Sequence, residues 1–254
     1  MHVRRTAFLV PCVLLTAVLA APPAGANHSW GGYHWGRQSN PFRVGLGDNV
    51  TSTWDASLGT TSNDWSKSSV LDTVIVAGGG ARARCKATSG RVEVCNDSYG
   101  FNQWLGVAQV WTSGSHIVQG TVKMNDSYFN TSRYNTPAWR NLVMCQEVGH
   151  TLGLDHQDEN FDNANLGTCM DYTNDPSSNQ HPNEHDYDQL VTIYSHLDSV
   201  TTVGSVTAAA PSPAELERQD QWGRALRLDG RGRPVLFERS LGGGHAVFTF
   251  VIWA

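Results

Sequence analysis

The segment from Asn135 to His156, NTPAWRNLVMCQEVGHTLGLDH, constrains local structure more tightly than any other stretch of the chain. An amide or hydroxyl cap at Asn135-Thr136 followed by Pro137 starts a helix, because proline's missing N–H does no harm in the first turn. Leu142, Cys145, Gly149 and Leu152 recur at helical spacing up to Gly153, which suits a left-handed stop. Within that helix Gln146 and His150 are four apart, so they share a face and two side chains there can grip one ion. Glu147 reaches the same cavity at another angle, which suits a base holding a water. The turn at Gly153 brings His156 back from outside the helix as a third ligand.

The surrounding pattern is sheet-forming. Phe42 to Leu46 alternates as a first strand, and Val50 to Ser69 holds a helix around Trp54, Leu58 and Trp65, interrupted at Gly59. Val70 to Ala77 reads as a buried strand closed by Gly78-Gly79-Gly80. The spacing of Cys85 and Cys95 about Ser89-Gly90 suggests a disulfide-closed hairpin. Leu105 to Trp111 and Ile117 to Met124 are two further strands, and Glu184 to Leu197 is a final helix. Thr201 to Pro213 is a linker by composition. The last residues alternate apolar and other side chains, and would either add a hairpin to the main domain or form a small appendage.

Residues 1–26 have the form of a secretory signal peptide: Arg4 and Arg5, an apolar run from Ala7 to Ala21, and the small-residue pattern Ala24-Gly25-Ala26 before Asn27. Pro11 and a length short of roughly 20 residues argue against a membrane span. With 18 basic against 23 acidic side chains the net charge is −5, and losing the leader's arginines makes the chain more acidic. Nucleic acid and anionic membranes are therefore excluded as main partners. Once Cys12 leaves with the leader, Cys85, Cys95, Cys145 and Cys169 enter an oxidising compartment. Of three possible pairings, local sequence favours Cys85–Cys95 and Cys145–Cys169.

The string around Glu147, His150, Gly153 and His156 resembles the metzincin clan of zinc endopeptidases, whose pattern has histidine where this chain has Gln146. A second match is Cys169-Met170-Asp171-Tyr172, which resembles the clan's Met-turn. Singly, Met170 is ordinary core filler, Tyr172 a packed aromatic and His156 a loop histidine; the joint spacing carries the likeness. The resemblance implies an α+β, zincin-like single catalytic domain over 27–200: a twisted, mostly parallel sheet with an antiparallel edge strand, an active-site helix, a Met-turn and a C-terminal helix. It further implies Zn2+ held by Gln146, His150 and His156, with Glu147 as general base and Tyr172 as an aid to the oxyanion. The substrate would be a protein or peptide, extended along an edge strand for which Gly106-Val107-Ala108-Gln109 is the candidate. A secreted, extracellular monomer is expected. The tail over 201–254 lies outside the resemblance.

Gln146 leaves three readings open. Its amide oxygen ligates zinc, a poorer donor than imidazole; or Asp155, His181 or His185 supplies the missing ligand; or the metal is lost and the scaffold survives as an extracellular binding module. Retention of Glu147 favours an enzyme.

Overall fold

Strand-forming residues of this chain meet in one mixed sheet, covered by few helices, in a computed structural model that describes residues 2, 27–80, 82–205 and 216–254. The expected leader lies outside the described residues apart from His2, and the expected linker is described only to residue 205. The strands are β1 (His34–Trp35), β2 (Phe42–Asn49), β3 (Leu71–Ala77), β4 (Arg91–Asp97), β5 (Trp104–Ser113), β6 (His116–Asn125), β7 (Arg224–Leu228), β8 (Pro234–Gly242) and β9 (His245–Trp253). The order across the sheet is β3-β2-β4-β6-β5-β9-β8-β7, with β1 parallel to the start of β6. The helices are α1 (Asp55–Trp65), α2 (Asp126–Phe129), α3 (Pro137–Thr151) and α4 (Glu184–Ile193).

β3, β2, β4 and β6 are mutually parallel, and β5 turns back antiparallel to β6 through Gly114. β4 and β6 are buried nearly throughout, as parallel strands covered on both faces are. α3 packs across β5 and β6 and against α1. It lies close to the sheet because Gly106 and Gly120 lack side chains: a Cβ at Gly106 would come within 2.5 Å of Val143 and 2.9 Å of Glu147.

Three expectations are corrected. Cys85 and Cys95 are disulfide-bonded, with Cα atoms 5.8 Å apart, but they close no hairpin. The residues before Arg91 form turns and irregular chain, and β4 runs parallel between β2 and β6, a placement that local turn residues do not encode. β5 is antiparallel as expected yet is not an edge, since β9 pairs along its length. The sheet is mostly parallel only through β6; the terminal strands add antiparallel pairs, because a hairpin needs only a tight turn such as Gly242-Gly243-Gly244. Smaller differences are that α1 runs through Gly59 and α4 ends at Ile193.

Candidate metal centre

The Thr136 hydroxyl accepts a hydrogen bond from the Trp139 amide at 3.3 Å and starts α3 as its sequence requires. The helix ends at Thr151 with Leu152 as its cap, and Gly153 follows at φ +101°, where a Cβ would also lie 2.7 Å from the Tyr33 carbonyl oxygen. Only glycine satisfies both conditions. The chain reverses there and returns His156 to His150, so that the two Nε2 atoms stand 3.0 Å apart with their rings at 85°.

Each ring is fixed from behind. His150 Nδ1 is 2.9 Å from the Leu154 carbonyl oxygen, and His156 Nδ1 is 3.2 Å from Glu159 Oε1. Both partners are acceptors, so each Nδ1 donates and leaves Nε2 as the inward-facing nitrogen, the arrangement that metal-ligating histidines adopt. Two such nitrogens at this distance need a positive centre between them, either a proton or a metal ion. Zn–N bonds of 2.0–2.1 Å at a tetrahedral angle separate nitrogens by about 3.3 Å, close to what is found. Burial, with His156 beside it, pushes His150 well below the ordinary imidazole range, which favours the neutral, ligating form. Burial opposes the ionised form of Glu159, but the hydrogen bond from His156 Nδ1 and the neighbouring Arg227 guanidinium hold its carboxyl below the usual range.

Gln146 and Glu147 are fully buried, and both amide atoms of Gln146 and both carboxylate oxygens of Glu147 lack a hydrogen-bond partner. The Ala108 and Ile252 amides face Glu147 without meeting hydrogen-bond geometry. Burial drives the Glu147 carboxyl well above the usual range. An unpaired buried polar group costs about 1–3 kcal/mol, so four such atoms on the helix that carries His150 are buried polar groups that no protein partner satisfies. Of the other candidate ligands, Asp155 is ion-paired with Arg227 and also stands with His156 and Glu159 in a group whose donor atoms lie within 4.8 Å of one another. His181 Nδ1 is bound to Asp64 Oδ2 at 2.6 Å, and His185 stacks on His28.

Met170 lies against α3, its sulfur 2.6 Å from where a Cβ at Gly149 would stand. The Cys145–Cys169 disulfide, its Cα atoms 5.9 Å apart, fastens the helix to this turn. Closing a loop with a sequence separation of 24 removes about 3.5 kcal/mol of unfolded-state entropy. The Cys145→Ala/Cys169→Ala double variant is therefore expected to lose stability of that order in a denaturant titration and to release metal faster to a chelator. Unchanged release would show that the bond does not brace the centre.

Tyr172 packs its ring on His156, with centroids 4.4 Å apart, and stacks against Phe161. Burial raises its pKa well above the usual phenol range, so it remains a donor. Its hydroxyl donates to the Val251 carbonyl at 3.3 Å, and Val251 belongs to the tail. Gly106, Val107, Ala108 and Gln109 pair with Ile252, Val251, Phe250 and Thr249 respectively. The Phe250 ring stacks on His150 at 4.1 Å, its plane inclined by 11°. β9 thus runs antiparallel along the stretch expected to receive substrate and covers the inward face of the centre.

Sequence reasoning passed over Glu159, Arg227 and Phe250. Glu159 carried a usable signal, being three residues beyond His156; the other two come from strands whose position no local pattern reveals. Among solved structures, two of myroilysin are similar to the chain at 13% and 12% identity, with TM-scores of 0.36 and 0.35. They cover 62% and 70% of this chain and 82% and 98% of their own. The chain matches no family model, and no curated protein sequence matches it.

Proposed function

We propose that the chain is a secreted zinc-dependent endopeptidase whose own C-terminal strand occupies the place of the substrate. The observation that carries this reading is the pair of inward-facing Nε2 atoms of His150 and His156, 3.0 Å apart, each held by an acceptor behind it. Zinc would be held by those two atoms and the Gln146 amide oxygen, and would supply Lewis acidity toward a water and a peptide carbonyl.

The remaining work falls to the chain. Glu147 takes the proton of the attacking water and returns it to the departing amine. The Tyr172 hydroxyl, which already donates to a backbone carbonyl of a strand lying on β5, supports negative charge developing on such an oxygen. The ladder groups of β5 hold the substrate extended, and side-chain pockets along it set preference. Two disulfides suit the oxidising environment of an exported protein.

Zinc content measured by mass spectrometry on the purified full-length chain tests the centre. His150→Ala is expected to carry one equivalent fewer than the parent and to lose all peptide cleavage. Gln146→His, which replaces a neutral oxygen donor by imidazole, is expected to release zinc more slowly to a chelator. Equal zinc and equal cleavage in the parent and His150→Ala would overturn the reading.

A further inference from the structure

A second group of imidazoles, sharing no residue with the α3 centre, converges on one carboxylate oxygen. Asp198 Oδ1 lies 3.1 Å from His116 Nε2, 3.3 Å from His34 Nε2 and 3.5 Å from His196 Nε2. The Nε2 atoms of His34 and His196 are 3.1 Å apart. The rings of His116 and His196 meet that of His34 edge-on, at 84° and 86°. His34 and the Asp198 side chain are buried, His116 is partly covered, and His196 stands at the surface.

Hydrogen bonding within the protein accounts poorly for this arrangement. His34 Nδ1 is 2.8 Å from the Gly32 carbonyl and therefore donates to it. A neutral His34 then aims its Nε2 lone pair at a carboxylate oxygen and at a second imidazole nitrogen. The other Asp198 oxygen is already satisfied: Oδ2 accepts from the Arg37 guanidinium at 2.7 Å and from the Arg37 amide at 3.3 Å. Arg37 balances the aspartate's charge and orients it, leaving the Oδ1 lone pairs facing the three rings. Something positive is required among them, either a proton or a metal ion.

Donor spacing fits a metal. His34, His116 and Asp198 offer ligand atoms all within 4.8 Å of one another, and His196 Nε2 adds a fourth donor beside His34 and Asp198. Four ligands at about 2.0–2.1 Å in a tetrahedron stand about 3.3 Å from one another, and the four separations given above bracket that value. Three imidazoles and a carboxylate suit zinc better than calcium or magnesium, which prefer oxygen. The fixed Nδ1 of His34 and the Arg37–Asp198 pair behind the cluster are the kind of outer contacts that hold ligands in place.

We propose that His34, His116, His196 and Asp198 form a structural divalent-metal site, with zinc as its ion. The ligands come from β1, the first residue of β6 and the segment after α4, so the ion would join chain segments distant in sequence. Thr202 strengthens the same junction: its hydroxyl accepts from the Gly36 amide at 2.8 Å and donates to the Ile117 carbonyl at 2.6 Å. The site therefore secures the point from which the chain leaves toward the tail strands.

The test uses the full-length protein and zinc itself, with cobalt(II) as a spectroscopic substitute. His116 and His196 are both reached by solvent, so His116→Ala/His196→Ala is expected to fold. The parent should bind two equivalents of zinc, this double variant one, and His150→Ala one. Cobalt in His150→Ala should show the intense visible bands of tetrahedral coordination, lost when the two histidine substitutions are added. Zinc should also raise the Tm of His150→Ala and leave the combined variant unmoved. If His150→Ala fails to fold, the comparison of the parent with His116→Ala/His196→Ala still decides. Equal zinc in those two proteins overturns the site and spares the α3 centre. Loss of the only equivalent on His116→Ala/His196→Ala, with none lost on His150→Ala, supports this site and removes the other.

Discussion

Phe250→Ala in the full-length chain is expected to raise peptide cleavage, by up to about a hundredfold, without changing zinc content. Phe250 stacks on His150 and lies at the centre of the stretch of β9 that pairs with Gly106 to Gln109. Truncating a buried phenylalanine costs about 3 kcal/mol or more, and each 1.4 kcal/mol moves a docked-to-open ratio tenfold. The gain levels off once the open form predominates. General destabilisation is separated by Leu58→Ala, which removes a buried side chain from α1, a helix that packs on α3 and β3, and is expected to lower Tm with no rise in rate. Initial rates on a fluorogenic peptide, together with hydrogen exchange of the Thr249 to Ile252 amides, give the decision. Faster exchange of those amides with an unchanged rate would mean that β9 is not what keeps substrate out.

The parts of this molecule that were legible in its sequence are those encoded within a few residues. Thr136 and Pro137 announce the start of α3, Gly153 its end, and the spacing of Gln146, Glu147 and His150 their common burial. The two disulfides were legible as well, because each joins residues flanking a short segment. What stayed hidden depends on pairing across long separations. Alternation in the last residues signals a half-buried strand but says nothing about which edge it joins, and β9 finds β5 across more than a hundred residues. The same limit hid Arg227 at Asp155, and concealed that His34, His116 and His196 gather around Asp198. It also explains the misread Cys85–Cys95 segment, where Ser89-Gly90 has the composition of a hairpin turn yet leads into a parallel strand. Secondary structure follows local chemistry; strand order follows the burial of whole faces, which only the assembled sheet defines.

Glu147→Gln is expected to lower kcat by about a hundred- to ten-thousand-fold, the range removed with a general base, while zinc content stays at the parent level. The background should be Phe250→Ala, so that substrate reaches the centre. A merely structural role for Glu147 makes the opposite prediction about stability. Its carboxylate is buried against the space left by Gly106 and has no hydrogen bond to lose, so a neutral amide of the same shape removes a costly buried acid and should hold or raise Tm. Falling rate with steady or rising Tm therefore assigns the residue to proton transfer. Glu147→Asp refines the point, because it keeps the acid but withdraws it by one methylene, and a misplacement of about 1 Å costs on the order of a hundredfold where geometry governs the step. If Glu147→Gln cleaves as fast as its background, the proton passes through another group and the role given to this glutamate is wrong.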